Sequence, residues 1–198
     1  MILTLVSEST IEPVSVSELK TFVRMESTDS TAEDVLIGTF ITAARKQAEN
    51  ITKRALVPQT RQLILDNFLN TTAAIELPRA PLTTASSNVT ITYVKDTTLG
   101  DTTTIGSTVF TVDPNSEPGR IFPAYDNEWP DDIRSQRNAV TIQYVSGYST
   151  SAIPAPITQW IKLRAADMYE NRNALTSEQL RMIPRSFFNG MLDEYVIP

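Results

Sequence analysis

Residues Tyr144 to Leu175 read YVSGYSTSAIPAPITQWIKLRAADMYENRNAL, and the period of the chain changes inside this stretch. It opens on the end of a β-type run. Gly147 and Pro154-Ala155-Pro156 interrupt that run. From Ile157 the pattern is helical: Ile157, Trp160, Ile161, Arg164 and Met168 share one face, with Leu163, Ala166 and Tyr169 beside it. Pro156 suits a first helical turn, because the amide it lacks has no intrahelical partner there. A helix is expected to about Asn173, with a further turn or two over Thr176–Met182.

Upstream of this switch lies β-type sequence, and upstream of that lie two helices. Ser15 and Glu18 are spaced as a capping box, with Val14 and Leu19 as a hydrophobic staple. Val16, Leu19, Phe22 and Val23 fall on one face, and the helix is expected to end near Met25. Ser30 and Glu33 repeat the box, and Glu33 and Asp34 suit the positive end of a helix. Ile37, Ile41, Ala44, Ala48, Ile51 and Ala55 follow as a stripe, widened by Leu36 and Phe40. Pro58 is expected to stop the pattern. The predicted second helix runs from Thr31 to Leu56, roughly 38 Å at about 1.5 Å per residue.

From Gln59 the apolar residues alternate. Thr60–Leu65, Val89–Lys95, Thr108–Val112 and Ala139–Val145 are rich in Thr, Val, Ile, Tyr and Phe, as half-buried strands are. Ile75–Leu77 and Arg120–Phe122 are shorter candidates. Pro78, Pro81, Gly100, Asp113-Pro114-Asn115, Pro118-Gly119 and Gly147 mark turns. Thr97–Thr108 reads as an exposed hairpin tip. The expected fold class is α+β: a small helical module (the N-terminal helix pair plus the C-terminal helix) carrying an inserted antiparallel β-domain, a small sandwich or barrel. The expected boundaries are 1–58 and 149–198 for the helical module and 59–148 for the insert.

Composition narrows the function. The chain has 198 residues, no cysteine and no histidine. This removes disulfides, thiolate nucleophiles, His-dependent triads and most zinc or copper sites. It also removes the usual general base near neutral pH. The net charge is −6, and no third of the chain is net positive, whereas a phosphate-gripping surface needs clustered Lys and Arg. Arg45-Lys46 and Lys53-Arg54 are the nearest approach, and both pairs read as a solvated helix face. No apolar stretch reaches membrane-spanning length. The start, MILTLVSESTIEP, lacks a basic n-region and its apolar run is too short for a signal peptide, so a cytoplasmic origin is expected.

Asp126, Glu128, Asp131 and Asp132 form the one carboxylate group that suggests a site. They sit in a Pro-containing loop without an EF-hand's glycine and glutamate pattern, and read as solvated acids. Trp129 in that loop reads as an anchor. No phosphate-binding glycine loop is present. The C-terminal run is unusual for a terminus: Phe187, Phe188, Met191, Leu192, Tyr195, Val196 and Ile197 are large and apolar. It either folds back to complete the core or docks on a partner.

The layout resembles the head–tail connector (adaptor) family of long-tailed bacteriophages, in its longer version with an inserted β-domain. Glu12–Lys20 (EPVSVSELK) is similar to that family's opening. Asp34–Leu56 is similar to its AAR..AE..T.RAL helix, through Ala43-Ala44-Arg45, Ala48-Glu49, Thr52 and Arg54-Ala55-Leu56. Pro58-Gln59-Thr60 follows as is common there. Leu77–Leu82 (LPRAPL), Tyr93-Val94, Val145–Tyr148, Pro154–Ile157, Met168–Arg172 and Leu192–Tyr195 match further pieces in order. The chain departs from the pattern in its acidic β-loops and in lacking a basic residue after Tyr195.

The resemblance implies a non-enzymatic virion protein, without cofactor or metal, made in the host cytoplasm. It implies a homo-oligomeric ring of about twelve copies beneath the portal protein of a DNA-filled head. A tail-side neck or tail-completion protein would dock below, and DNA would pass through the centre without sequence recognition or any membrane contact. A ring of identical wedges needs a heterologous interface, and Ile37, Ile41, Ala44, Ala48 and Ile51 are the expected subunit contacts. Phe187, Phe188, Met191, Leu192 and Tyr195 are the expected portal-docking anchors. Two other classes compete. One is a binding module whose β-domain takes a carbohydrate or host protein through Tyr125 and Trp129. The other is a carboxylate enzyme built on Asp126–Asp132.

Overall fold

A computed structural model describes residues 1–25, 33–68, 70–82, 88–171 and 190–197. The chain divides into two compact units, Met1–Ser9 with Val57–Tyr148, and Thr10–Leu56 with Ser149–Pro198.

The first unit is all β. Its elements are β1 (Ile2–Glu8), β2 (Gln59–Leu65), β3 (Ile75–Leu77), β4 (Val89–Val94), β5 (Thr102–Thr104), β6 (Phe110–Asp113), β7 (Gly119–Pro123) and β8 (Val140–Ser146). A five-stranded sheet runs β1-β2-β8-β4-β5 and a three-stranded sheet β3-β7-β6. Every pairing is antiparallel. Alternation does what period-two patterning predicts: in β8, Val140, Ile142, Tyr144 and Ser146 are buried while Gln143 faces outward. Leu63, Ile91 and Ile142 from the larger sheet share one core with Leu77, Phe110 and Ile121 from the smaller. The result is a two-sheet sandwich.

Two strands were not foreseen. β1 places Met1–Ser9 in the β-unit, where the sequence reading assigned residues 1–58 to the helical module. Its register sets Leu3 opposite Leu63 and Ile2 opposite Ile64, with a bulge between Leu5 and Ser7. It is an edge strand with most side chains exposed, so the in–out alternation that reveals a strand is absent. β5 lies inside the expected hairpin tip and is also largely exposed.

Turns close this unit. Tyr144 donates its hydroxyl to Pro78 O at 2.7 Å, and burial pushes its phenol well above the usual tyrosine range. Gly147 has φ +123°, and a Cβ there would lie 2.1 Å from Val57 O. Both the dihedral and the close approach demand glycine.

The second unit is helical: α1 (Val16–Phe22), α2 (Asp34–Thr52) and α3 (Ala155–Glu170), with single 3-10 turns at Thr150–Ala152 and Asp193–Tyr195. The first capping box forms: Glu18 N donates to Ser15 Oγ at 3.2 Å, and Ser15 N to Glu18 Oε2 at 2.8 Å. The Ser15 amide also holds the Glu18 carboxyl below its usual value. Val14 and Leu19 are both buried. At α2, Glu33 is the N-cap and makes no side-chain capping bond, and Ser30 lies outside the described residues. The helix is shorter than expected, ending at Thr52 with Lys53 left-handed at φ 55°. Thr52 Oγ1 donates to Ala48 O at 2.8 Å and accepts from Arg54 N at 3.3 Å. This local bonding ends the helix before Pro58 can. In α3, Ile157, Trp160, Ile161, Ala165 and Ala166 are the buried residues, so Arg164 and Met168 lie at the margin of the face.

Gly147→Ala should destabilise the β-unit by at least about 1 kcal/mol, because the residue must hold a positive φ and meet a backbone carbonyl. Thermal unfolding followed by circular dichroism checks this; an unchanged midpoint contradicts it.

Candidate functional site

The centre of the helical unit is polar. Arg45 is 1% exposed. Its Nε donates to Glu12 Oε2 at 2.7 Å and its Nη2 to Glu12 Oε1 at 3.2 Å. Its Nη1 lies 3.2 Å from Glu49 Oε2. Thr42 Oγ1 lies 2.7 Å from Glu12 Oε1, and Leu56 N donates to Glu49 Oε1 at 2.9 Å. Arg54 is buried as well, with its Nε donating to Tyr195 O at 2.6 Å. Reading both basic pairs as solvated was therefore wrong for one member of each: Lys46 and Lys53 are exposed, while Arg45 and Arg54 tie distant segments. A buried guanidinium needs carboxylates around it, and Glu12 stands 33 residues away from Arg45, beyond any local pattern.

The expected subunit-interface stripe also lies inside. Ile37, Ile41, Ala44 and Ala48 are all buried, Ala44 at 0% exposure, and Ile51 is half-buried. A side chain sealed within its own subunit cannot contact the next one. A helical stripe marks the face a helix buries, without saying whether its own chain or a neighbour covers it. The opposite side of α2 carries Val35, Thr39, Ala43 and Lys46 at the surface. An open groove of about 510 Å³ lies there, lined by Val35, Gly38, Thr39, Thr42, Ala43 and Glu12 among others.

The C-terminal residues divide. Leu192 is 0% exposed and Ile197 is buried, and Ile197 N donates to Thr52 O at 3.1 Å. Residues 190–197 are thus seated on their own helical unit, which favours the fold-back alternative for this stretch and removes Leu192 as a docking anchor. Met191 and Tyr195 are half-buried. Phe187 and Phe188 lie outside the described residues.

The acidic loop is a clip. Tyr93 donates its hydroxyl to Asp132 Oδ1 at 3.0 Å, and Lys95 Nζ lies 2.9 Å from Asp132 Oδ2. The lysine holds the Asp132 carboxyl below its usual range, and desolvation raises the Tyr93 phenol. Among the described residues no group of three acids is placed to hold a metal ion. Trp129 is buried, stacked on Phe68 at 5.0 Å with 11° between the rings, and donates Nε1 to Ala73 O at 2.8 Å. It is the anchor the sequence suggested and cannot act as a sugar platform. Tyr125 is fully exposed.

Comparison with known proteins gives the fold a setting. No protein-family model matches the chain, and no curated protein sequence does. Solved structures do. A chain in the neck of an empty gene transfer agent (GTA) particle, computed with sixfold symmetry, has a TM-score of 0.79 and 23% identity, covering 100% of this chain and 96% of that one. A chain of the native GTA virion gives 0.76 and 22% identity, with the same coverage. A chain in the native GTA neck, computed with twelvefold symmetry, gives 0.74 and 21%, again with that coverage. The protein has the fold of these particle components from end to end.

Arg45→Ala should unfold or severely weaken the helical unit, at about 3–5 kcal/mol, by taking the partner from buried Glu49 and half-buried Glu12, whereas Lys46→Ala should stay within about 0.5 kcal/mol. Denaturant titration of both variants decides; similar midpoints contradict the account. Truncation after Asn189 should lower the unfolding midpoint measurably, since it removes buried Leu192 and Ile197, each worth roughly 1.5–3 kcal/mol. A truncated chain as stable as the full one would return these residues to a docking role.

Proposed function

We propose that this protein is a structural component of the neck of a phage-like particle. In this reading it forms a homo-oligomeric ring of about twelve copies beneath the portal, joins the DNA-filled head to the tail, and lets DNA pass through its centre. The observation that carries the reading is the end-to-end likeness to chains of symmetric GTA necks, at 100% coverage of this chain and 96% of that one. A match over both units supports a shared architecture more strongly than a match over either alone.

The chemistry fits the role. A conduit for DNA gains from a surface that does not grip phosphates, because each Lys or Arg contact adds affinity that the moving duplex must break. The chain has a net charge of −6, and Arg45 and Arg54 are enclosed within the helical unit. The acidic loop is held by Lys95 and Tyr93, as a scaffold needs, and the protein acts without catalysis, cofactor or metal. Its partners are further copies of itself, the portal protein and a tail-side neck or tail-completion protein. It is made in the host cytoplasm and ends in the virion.

Deleting the gene should leave DNA-filled heads and finished tails that do not join, and supplying the protein in trans should restore joined particles. Electron microscopy of lysates reads the outcome directly. Normal yields of joined particles without the protein would overturn the proposal.

A further inference from the structure

We infer that the outward side of α2 around Gly38 is the seat for the neighbouring copy of this chain; the inference rests on the ring reading above. Gly38 stands in the second turn of α2, and a Cβ placed there would meet nothing within 4 Å. A glycine inside a helix costs about 0.8–1 kcal/mol relative to alanine. Its φ lies outside the left-handed range, so the backbone conformation does not require it. Packing among the described residues does not require it either. A glycine on an open helix face permits a backbone or side chain from another molecule to approach closely.

The surroundings state what that molecule must be. Val35, one turn before, is 81% exposed. Three of the groove's four polar side chains have partners within the chain, Thr10 being the fourth: Thr39 Oγ1 donates to Val35 O at 2.9 Å, Thr42 Oγ1 lies 3.1 Å from Gly38 O and 2.7 Å from Glu12, and Glu12 is held by Arg45. The groove therefore offers van der Waals contact and little demand for hydrogen bonds. Its one charged lining residue is a carboxylate, which repels a phosphate backbone and, being engaged by Arg45, gives a basic segment little to pair with. The charge match is to a neutral, apolar protein surface. This chain carries such features: Leu99 and Tyr125 stand at turns of the β-unit, 85% and 100% exposed. A ring closes through heterologous contacts, a hollow on one copy meeting a different surface of the next. With Ile37, Ile41, Ala44 and Ala48 enclosed in their own subunit, the Gly38 side is the face of α2 that the described residues leave open for that contact.

Two measurements test the seat. Gly38→Leu should keep the helical content and the unfolding midpoint at or above wild type, and should lose ring formation on neck-less heads. Gly38→Leu that assembles like wild type overturns the inference. Should leucine compromise folding, the second measurement stands alone: a photoreactive benzoylphenylalanine in place of Val35, irradiated in assembled particles. The expected product is a covalent dimer of this chain. A crosslink to a different neck protein, or no crosslink in particles that hold the ring, overturns the seat and leaves the ring reading intact. Particles in which the wild-type chain forms no ring overturn both.

Discussion

A guanidinium enclosed in a small helical unit has to be neutralised where it lies, and Arg45 imposes that condition on everything around it. Glu12 meets it from the segment that leads into α1, and Glu49 meets it from one turn further along α2. Glu49 in turn accepts the amide of Leu56, just beyond the helix end. One side chain thereby fixes the entry to the unit, its longest helix and the exit. Such a network is expensive to desolvate and costly to break by halves. Its value is specificity: few other arrangements of these residues satisfy all the groups. The same network turns the far side of α2 outward, where Gly38 and Val35 meet no part of the described chain that would seal them.

Much of the fold was legible because its signals are local. The Ser15–Glu18 box needs four consecutive residues and forms as written. β4 and β8 alternate on a two-residue period and bury the residues that period selects. Pro156 lies in the first turn of α3. What the sequence concealed depends on distant partners. β1 carries little alternation because one neighbour strand and few side-chain contacts hold it. The end of α2 is set by Thr52 and a left-handed Lys53, a subtler stop than Pro58. Arg45 next to Lys46 looks like a solvated pair until Glu12 is brought beside it.

The candidate site was less legible than the fold, for a related reason. A stripe at helical spacing reports burial, and Ile37 through Ala48 are indeed buried, but by their own unit. Whether an apolar residue near a terminus faces home or a partner is likewise absent from the pattern. Leu192 and Ile197 turn inward onto the end of α2, joined by Ile197 N to Thr52 O and by Arg54 to Tyr195 O. The surface proposed in its place centres on Gly38, which packing among the described residues does not require, a signal readable only after the helix is placed among its neighbours.

The likeness to GTA neck chains spans the whole protein at 23% identity. At that level the two chains share a layout of elements rather than a set of side chains. The most direct test of the central claim is a symmetrised cryo-electron reconstruction of the head–tail junction in particles that contain this protein. The account predicts a closed ring of copies directly beneath the portal, each fitted by both units, with the Gly38 side of α2 against the adjacent copy. Density for this chain elsewhere in the particle, or no ring beneath the portal, would contradict it.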